Sequence, residues 1–184
     1  MIRLQRPSMA VNDPRVRAKN GSVRRFVMGR TGDIDQNLGR RQIIQQVALA
    51  ARAEGQKLKN LVLSCHGNAG YLQMAEGFDS RHLGMFLDWR GVVEKLWLPD
   101  SVVAKGGAGH QFVSTLARLA QCWVLAPTEI QCDYTLTFAR DTLPSFEGLV
   151  LCYDPTGKVS WSHRYPSTWF YAPGASSGAC HPNP

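Results

Sequence analysis

Short apolar runs separated by helical segments constrain this chain more than any other feature. Leu61–Cys65 and Cys122–Ala126 carry no polar alternation, and Val92–Leu98 between them is a further strand candidate. Runs of this kind suit strands covered on both faces, as in a parallel sheet. Between Asn37 and Glu54, the residues Ile43, Ile44, Val47, Ala48 and Ala51 recur at spacings of three and four, which predicts one helix face, and Gly55 is placed to stop it. A second helix is predicted over Ala108–Ala120, with Phe112, Leu116 and Leu119 on one side. Val23–Gly29 reads as a first strand, Tyr71–Met74 as a small ribbon and Ser80–Leu87 as a short helix. Gly148–Tyr153 and Lys158–Ser162 flank Asp154-Pro155-Thr156-Gly157, a hairpin signal. Strands alternating with helices predict a three-layer α/β sandwich, a mostly parallel central sheet flanked by helices.

The net charge of +7 is lopsided: residues 1–41 hold ten of the 21 Lys and Arg but three of the 14 Asp and Glu, leaving eleven of each sign in the remainder. Residues 1–22 include Pro7 and Pro14 and show no sustained period, so they are expected to form a basic, extended arm able to meet an acidic partner. The predicted domain covers 23–165, and 166–184, with small residues and four prolines, reads as a loosely ordered tail. No stretch approaches ~20 apolar residues and no apolar run follows the N-terminal charges, so neither a membrane span nor a secretory signal is expected. Five cysteines with no C-x-x-C spacing argue against a disulfide framework or a zinc ribbon. Cys65, Cys122 and Cys152 sit in apolar runs and read as core residues of a chain made in a reducing compartment, which points to the cytoplasm. No metal or cofactor is expected. Lys105-Gly106-Gly107-Ala108-Gly109-His110 lacks the order of a phosphate loop and the third glycine of a dinucleotide fingerprint, so it reads as a loop entering a helix.

In a parallel α/β sheet, chemistry collects just beyond the carboxyl ends of the strands. Two segments fit that place, His66-Gly67 and Asp100-Ser101. A histidine at a strand end followed by glycine presents its ring at a loop surface beside an unobstructed backbone N–H, which suits oxyanion stabilisation. Ser101, at the end of the next predicted strand, is the nucleophile candidate. His82, His110 and His163 lie in polar or loop surroundings and read as surface residues.

These segments resemble a known family. Leu61-Val62-Leu63-Ser64-Cys65-His66-Gly67-Asn68-Ala69-Gly70 resembles the histidine strand of caspase-like (clan CD) cysteine peptidases, and Lys95-Leu96-Trp97-Leu98-Pro99-Asp100-Ser101 resembles the strand that ends in their nucleophile. Arg30-Thr31-Gly32, followed by Asp35, Asn37 and Leu38, is similar to the loop that reads an acidic substrate side chain. The resemblance covers about residues 23–126 and implies a caspase-like sandwich. It implies His66 as the base, oriented by a backbone carbonyl, the Gly67 N–H as an oxyanion donor and Arg30 as a substrate-binding residue. It places Ser101 where a cysteine is expected, and Cys65 is no substitute, since its side chain points to the opposite face from the His66 ring. A serine hydroxyl lacks the partial ionisation of a thiol and needs a strongly supported base. The expectation is therefore a peptidase-fold domain of weak or absent activity that binds a protein or peptide segment in the His66/Ser101 cleft. The alternatives are an active peptidase with a His66-based dyad, or a cysteine-to-serine inactivated form of one. A third is a nucleic-acid-binding module working through the basic arm.

Overall fold

The computed structural model describes residues 1–16, 25–35, 37–131 and 138–166, and the backbone of 169–171 and 180–182. In chain order its elements begin with β1 (Ile2–Arg3), β2 (Ser8–Asn12), β3 (Arg30–Asp33), α1 (Arg40–Glu54), β4 (Asn60–Ser64), β5 (His66–Asn68) and β6 (Tyr71–Gln73). A 3₁₀ helix (Ser80–Trp89), β7 (Lys95–Trp97), α2 (Gly106–Ala120) and β8 (Trp123–Pro127) follow. The chain continues through β9 (Thr142–Leu143), β10 (Gly148–Tyr153), β11 (Val159–Tyr165), β12 (Trp169–Tyr171) and β13 (Cys180–Pro182). Seven strands form one sheet in the order β11-β10-β8-β7-β4-β2-β3. The five from β8 to β3 are parallel, and β10 and β11 each run antiparallel to their predecessor.

The mostly parallel sheet is as expected, but the helices lie on one face only among the described residues. Right-handed crossovers explain this. The steps β3 to β4, β4 to β7 and β7 to β8 all travel the same way along the sheet, so α1, the 3₁₀ helix and α2 share a side. There they pack on Met9, Val11, Leu61, Leu63, Leu96, Val124 and Ala126. The step β2 to β3 travels the opposite way, so its connection crosses the other face, where Phe26 and Met28 cover Ala10, Val62, Trp97 and Leu125 together with Leu4, Leu143 and Phe146. That layer is built from loops and the β1–β9 ribbon. Both faces are thus covered, which is why the strands read as unbroken apolar runs.

The expectation of an extended arm over 1–22 is corrected for its described part. Ser8–Asn12 is an interior strand with all five residues buried, paired to β3 on one side and β4 on the other. Only Met9, Ala10 and Val11 are apolar, too few to register as a pattern, yet small residues suffice where neighbours approach on both faces. Asn12 completes the strand by copying a backbone: its amide donates to the Phe26 carbonyl at 3.0 Å and accepts from the Phe26 N–H at 3.0 Å. The first strand of the seven-stranded sheet is therefore Ser8–Asn12; of the segment expected to supply it, residues 23 and 24 lie outside the described residues and 25–29 form a loop. The basic excess is also largely paired, with Arg6 on Asp141, Arg15 on Asp13, Arg25 on Asp100, Arg30 on Glu54, Arg40 on Glu76 and Arg41 on Asp88.

Other local expectations hold. α1 stops at Gly55, whose φ of 67° is left-handed, and buries Ile43, Ile44, Val47, Ala50 and Ala51. Trp89, fully buried, donates to the Ile44 carbonyl at 3.2 Å and ties the 3₁₀ helix to α1. The β10–β11 hairpin closes through Gly157, whose N–H donates to the Asp154 carbonyl at 2.8 Å. Cys65, Cys122 and Cys152 are free and buried, whereas Cys132 lies outside the described residues. The expected tail lies mostly outside them too, apart from the β12–β13 ribbon. No helix among the described residues is long and apolar enough to cross a membrane.

Two buried carboxylates make the fold sensitive to acid. Burial alone would raise the pKa of Asp141, but hydrogen bonds from Ser8, Arg6 and the Gly29 N–H outweigh it and hold the carboxyl below its usual 3.8. For Asp13, burial is likewise outweighed by Arg15 and by the Ala75 N–H. Depressed folded-state values give stability that is fully present above the unfolded pKa of about 3.8 and is lost as pH falls through the folded values. Urea midpoints measured downward from pH 5 should therefore drop below about pH 4. Asp141→Asn should flatten that drop; an unchanged slope would remove Asp141 from the account.

Candidate functional site

The sheet has a switch point. From β2 the chain goes to β3 on one side, while β4 lies on the other, so a crevice opens beyond the carboxyl ends of β2 and β4. A cavity of about 200 Å³ occupies it. The segment after β2 supplies Val16 and Arg25, that after β4 supplies His66, Gly67 and Asn68, that after β7 supplies Asp100 and Val102, and that after β8 supplies Ile130 and Gln131.

His66 begins β5, which pairs with β6 so that His66 faces Gln73 and Gly67 faces Leu72. Cys65 turns into the core on the helix side while His66 is exposed, as strand alternation requires. Burial pushes the Cys65 thiol well above its ordinary value, with Asp100 and Asp13 adding to the effect, so it is inert at neutral pH. The His66 Nε2 lies 3.2 Å from the Arg15 carbonyl. A carbonyl only accepts, so Nε2 carries the proton in the neutral ring and Nδ1 holds the lone pair.

Gly67 is required by its surroundings. A Cβ there would lie 2.7 Å from the Tyr71 carbonyl oxygen and 2.8 Å from the Ser101 Cβ. Leu72 exchanges both backbone hydrogen bonds with Phe78, at 3.0 and 2.8 Å, so Gly67 opposite it occupies a non-hydrogen-bonded position and its N–H turns away from Leu72. Ser101 packs directly against Gly67, is 2% exposed, and its Oγ has no hydrogen-bond partner among the described residues. Gly67→Ala should force the ribbon off Ser101 and lower stability by about 1–3 kcal/mol, as overpacking does. A urea midpoint equal to that of the parent chain would show that the contact yields without strain.

The structure thus sets Gly67 against Ser101, with His66 the preceding residue of β5. Arg30 lies elsewhere. Arg30 pairs with Met9 and, through it, stands level with Leu61, at the amino end of the parallel strands. His66 lies five residues further along, about 16 Å in strand rise and two strands across. The Arg30 guanidinium pairs with Glu54 at the end of α1. Its sequence resembles a recognition segment, but Arg30 begins β3 and strand direction carries it to the far edge.

Sequence reasoning missed Arg25, and placed Asp100 beside Ser101 without giving it a role. Their side chains, 4% and 5% exposed, form an ion pair at 3.1 Å in the cleft wall. The Ser64 Oγ donates to the other Asp100 oxygen at 2.6 Å, and the guanidinium lies 5.5 Å from the Phe26 ring centroid. The available signal was a charge set inside an apolar segment, in Arg25-Phe26-Val27-Met28 and in Leu98-Pro99-Asp100.

The remaining motifs lie elsewhere. The glycine cluster opens α2, where a Cβ on Gly109 would come 2.4 Å from the Val103 carbonyl oxygen, so helix packing explains that glycine. His82 accepts from the Asp79 N–H at the start of the 3₁₀ helix, His110 meets the Tyr153 hydroxyl at 3.1 Å, and His163 is exposed on β11. Among the described residues, no group of three or more His, Cys, Asp or Glu is placed to hold a metal ion. No family model, curated protein or solved structure matches the chain.

Proposed function

We propose that the chain is a caspase-like domain whose cleft binds a protein or peptide segment and cleaves it slowly or not at all. The observation that carries this reading is the state of Ser101. Its hydroxyl, in the nucleophile's place, is closed beneath Gly67 with no hydrogen bond to His66, while the His66 ring and Asn68 stand open on the cleft. Attack by a serine needs its hydroxyl oxygen within about 2.6–3.2 Å of a base. The base also needs support as its ring becomes charged, and here that support is a neutral carbonyl rather than a carboxylate.

A second reading, an active peptidase using a His66 dyad, draws on the lone pair left at Nδ1 and on the Gly67 N–H beside it. A fluorophosphonate probe separates the two. The expected result is no labelling of Ser101, together with adducts from a degenerate photo-crosslinking peptide mixture confined to residues 66–68, 100–102 and 130–131. Labelling of Ser101 that disappears in His66→Ala would establish the peptidase, and adducts scattered over the surface would remove the cleft as a binding site.

A further inference from the structure

Resting on the cleft reading above, we propose that Asp13 and Arg15 are positioning residues for His66, holding its ring in one tautomer and one place. Two contacts locate His66, the Arg15 carbonyl that accepts from its Nε2 and the strand β6 that pairs with its backbone. One ion pair holds both, its carboxylate fully buried and its guanidinium partly exposed.

The carbonyl belongs to Arg15. Its turn is closed by Asp13, whose Oδ1 accepts from the Arg15 N–H at 3.0 Å and whose backbone carbonyl accepts from the Val16 N–H at 3.0 Å. The Arg15 guanidinium grips the same carboxylate with two bonds, Nε to Oδ1 at 2.8 Å and a terminal nitrogen to Oδ2 at 2.6 Å. That terminal nitrogen continues to the carbonyls of Gln73 at 3.0 Å and Ala75 at 2.9 Å. Gln73 is the residue opposite His66 in the ribbon. Asp13 Oδ2 also accepts from the Ala75 N–H at 2.8 Å, and the Asp13 N–H donates to the Ser64 carbonyl at 2.9 Å, two residues before His66. Asp13 is fully buried at the end of β2.

A bidentate guanidinium–carboxylate pair is planar and directional, so it fixes orientation as well as distance. Lysine donates from a single point on a flexible stem and cannot reproduce the planar two-bond grip on the carboxylate. The clamp therefore sets the direction of the Arg15 carbonyl, and with it which ring nitrogen carries the proton.

Nitrogen-15 spectra of the imidazoles at about pH 8.5, some two units above the ordinary imidazole pKa, read this directly. In the parent chain His66 should show a protonated Nε2 and an unprotonated Nδ1 with fully separated shifts. In Asp13→Asn and in Arg15→Lys the two shifts should move toward each other as the ring begins to average between tautomers, while His82, His110 and His163 stay where they were. A purely structural clamp would lower the melting temperature of both variants and leave the His66 shifts unmoved, and that result overturns the proposal. So does a parent chain whose His66 already averages like free histidine, a measurement that needs no variant to fold. The readout involves neither a bound peptide nor turnover, so a failed crosslinking or probe experiment and a failed clamp remain distinct results.

Discussion

Asp100→Ala should lower the melting temperature of this chain by about 10 °C. Arg25 and Asp100 are taken almost wholly out of water, and removing one partner leaves the other's charge buried. Breaking such a pair costs about 3–5 kcal/mol. For a chain of this length each kcal/mol shifts the melting temperature by about 2–4 °C. The change also strips Ser64 of its acceptor. Asp100→Asn keeps the shape and an acceptor oxygen but not the charge, so it should fall between parent and Ala. The double change Arg25→Met with Asp100→Leu removes both charges and should recover much of the loss, because well-packed apolar replacements of buried pairs are often neutral or better. Thermal unfolding followed by circular dichroism measures all four chains. An Asp100→Ala chain melting within about 2 °C of the parent would show that the pair is solvated and does not organise the cleft wall.

Ser101→Cys should create a thiol that iodoacetamide alkylates at least about tenfold faster than the buried native cysteines, equivalent to one unit of pKa or more. Burial pushes Cys122 up to about 12, Cys152 up to about 11 and Cys65 well above its ordinary value, so these thiols are almost entirely protonated near neutrality. A thiol at 101 lies against Gly67, the chain neighbour of His66, and an imidazolium within reach of it favours the thiolate. Reagent reaches it when the ribbon carrying Gly67 parts from residue 101. That ribbon has three residues in each strand, a length that is marginal on its own. The rate should fall about tenfold when His66→Ala is added. Peptide cleavage gained by the cysteine variant would identify the serine as the block to turnover. A thiol as silent as Cys65 and indifferent to His66 would make Ser101 a packing residue, and the nucleophile's place would have to be sought elsewhere.

The two expectations differ in kind. The first rests on residues that sequence reasoning passed over, the second on residues it singled out. Asp100 stands beside Ser101 in the same segment, yet serine was legible as chemistry because it followed a strand and a proline, whereas a lone aspartate in that place reads as a turn. Its partner Arg25 lies in a stretch whose excess of arginine reads as a solvated leader. Arg30 shows the converse: a suggestive local pattern, carried by strand direction to the end of the sheet away from the cleft.

By itself the sequence determined the elements whose signal is local. The 3.6-residue spacing of Ile43, Ile44 and Val47 makes one helix face, and Gly55 ends that helix because it takes a left-handed conformation without a Cβ penalty. The apolar run ending at Cys65 makes a doubly covered strand, and its stop at His66-Gly67 marks the carboxyl end where the cavity opens. Tertiary structure alone decided the rest. Ser8–Asn12 became an interior strand because β3 and β4 closed on it from both sides, and the helices gathered on one face because three crossovers step the same way. Arg6 found Asp141 across 135 residues, and Asp13 and Arg15 found the ribbon opposite His66. Periodicity reports which side of one element is buried. The partner of a charge depends on where the chain returns, and until it returns every such charge reads as one more solvated residue.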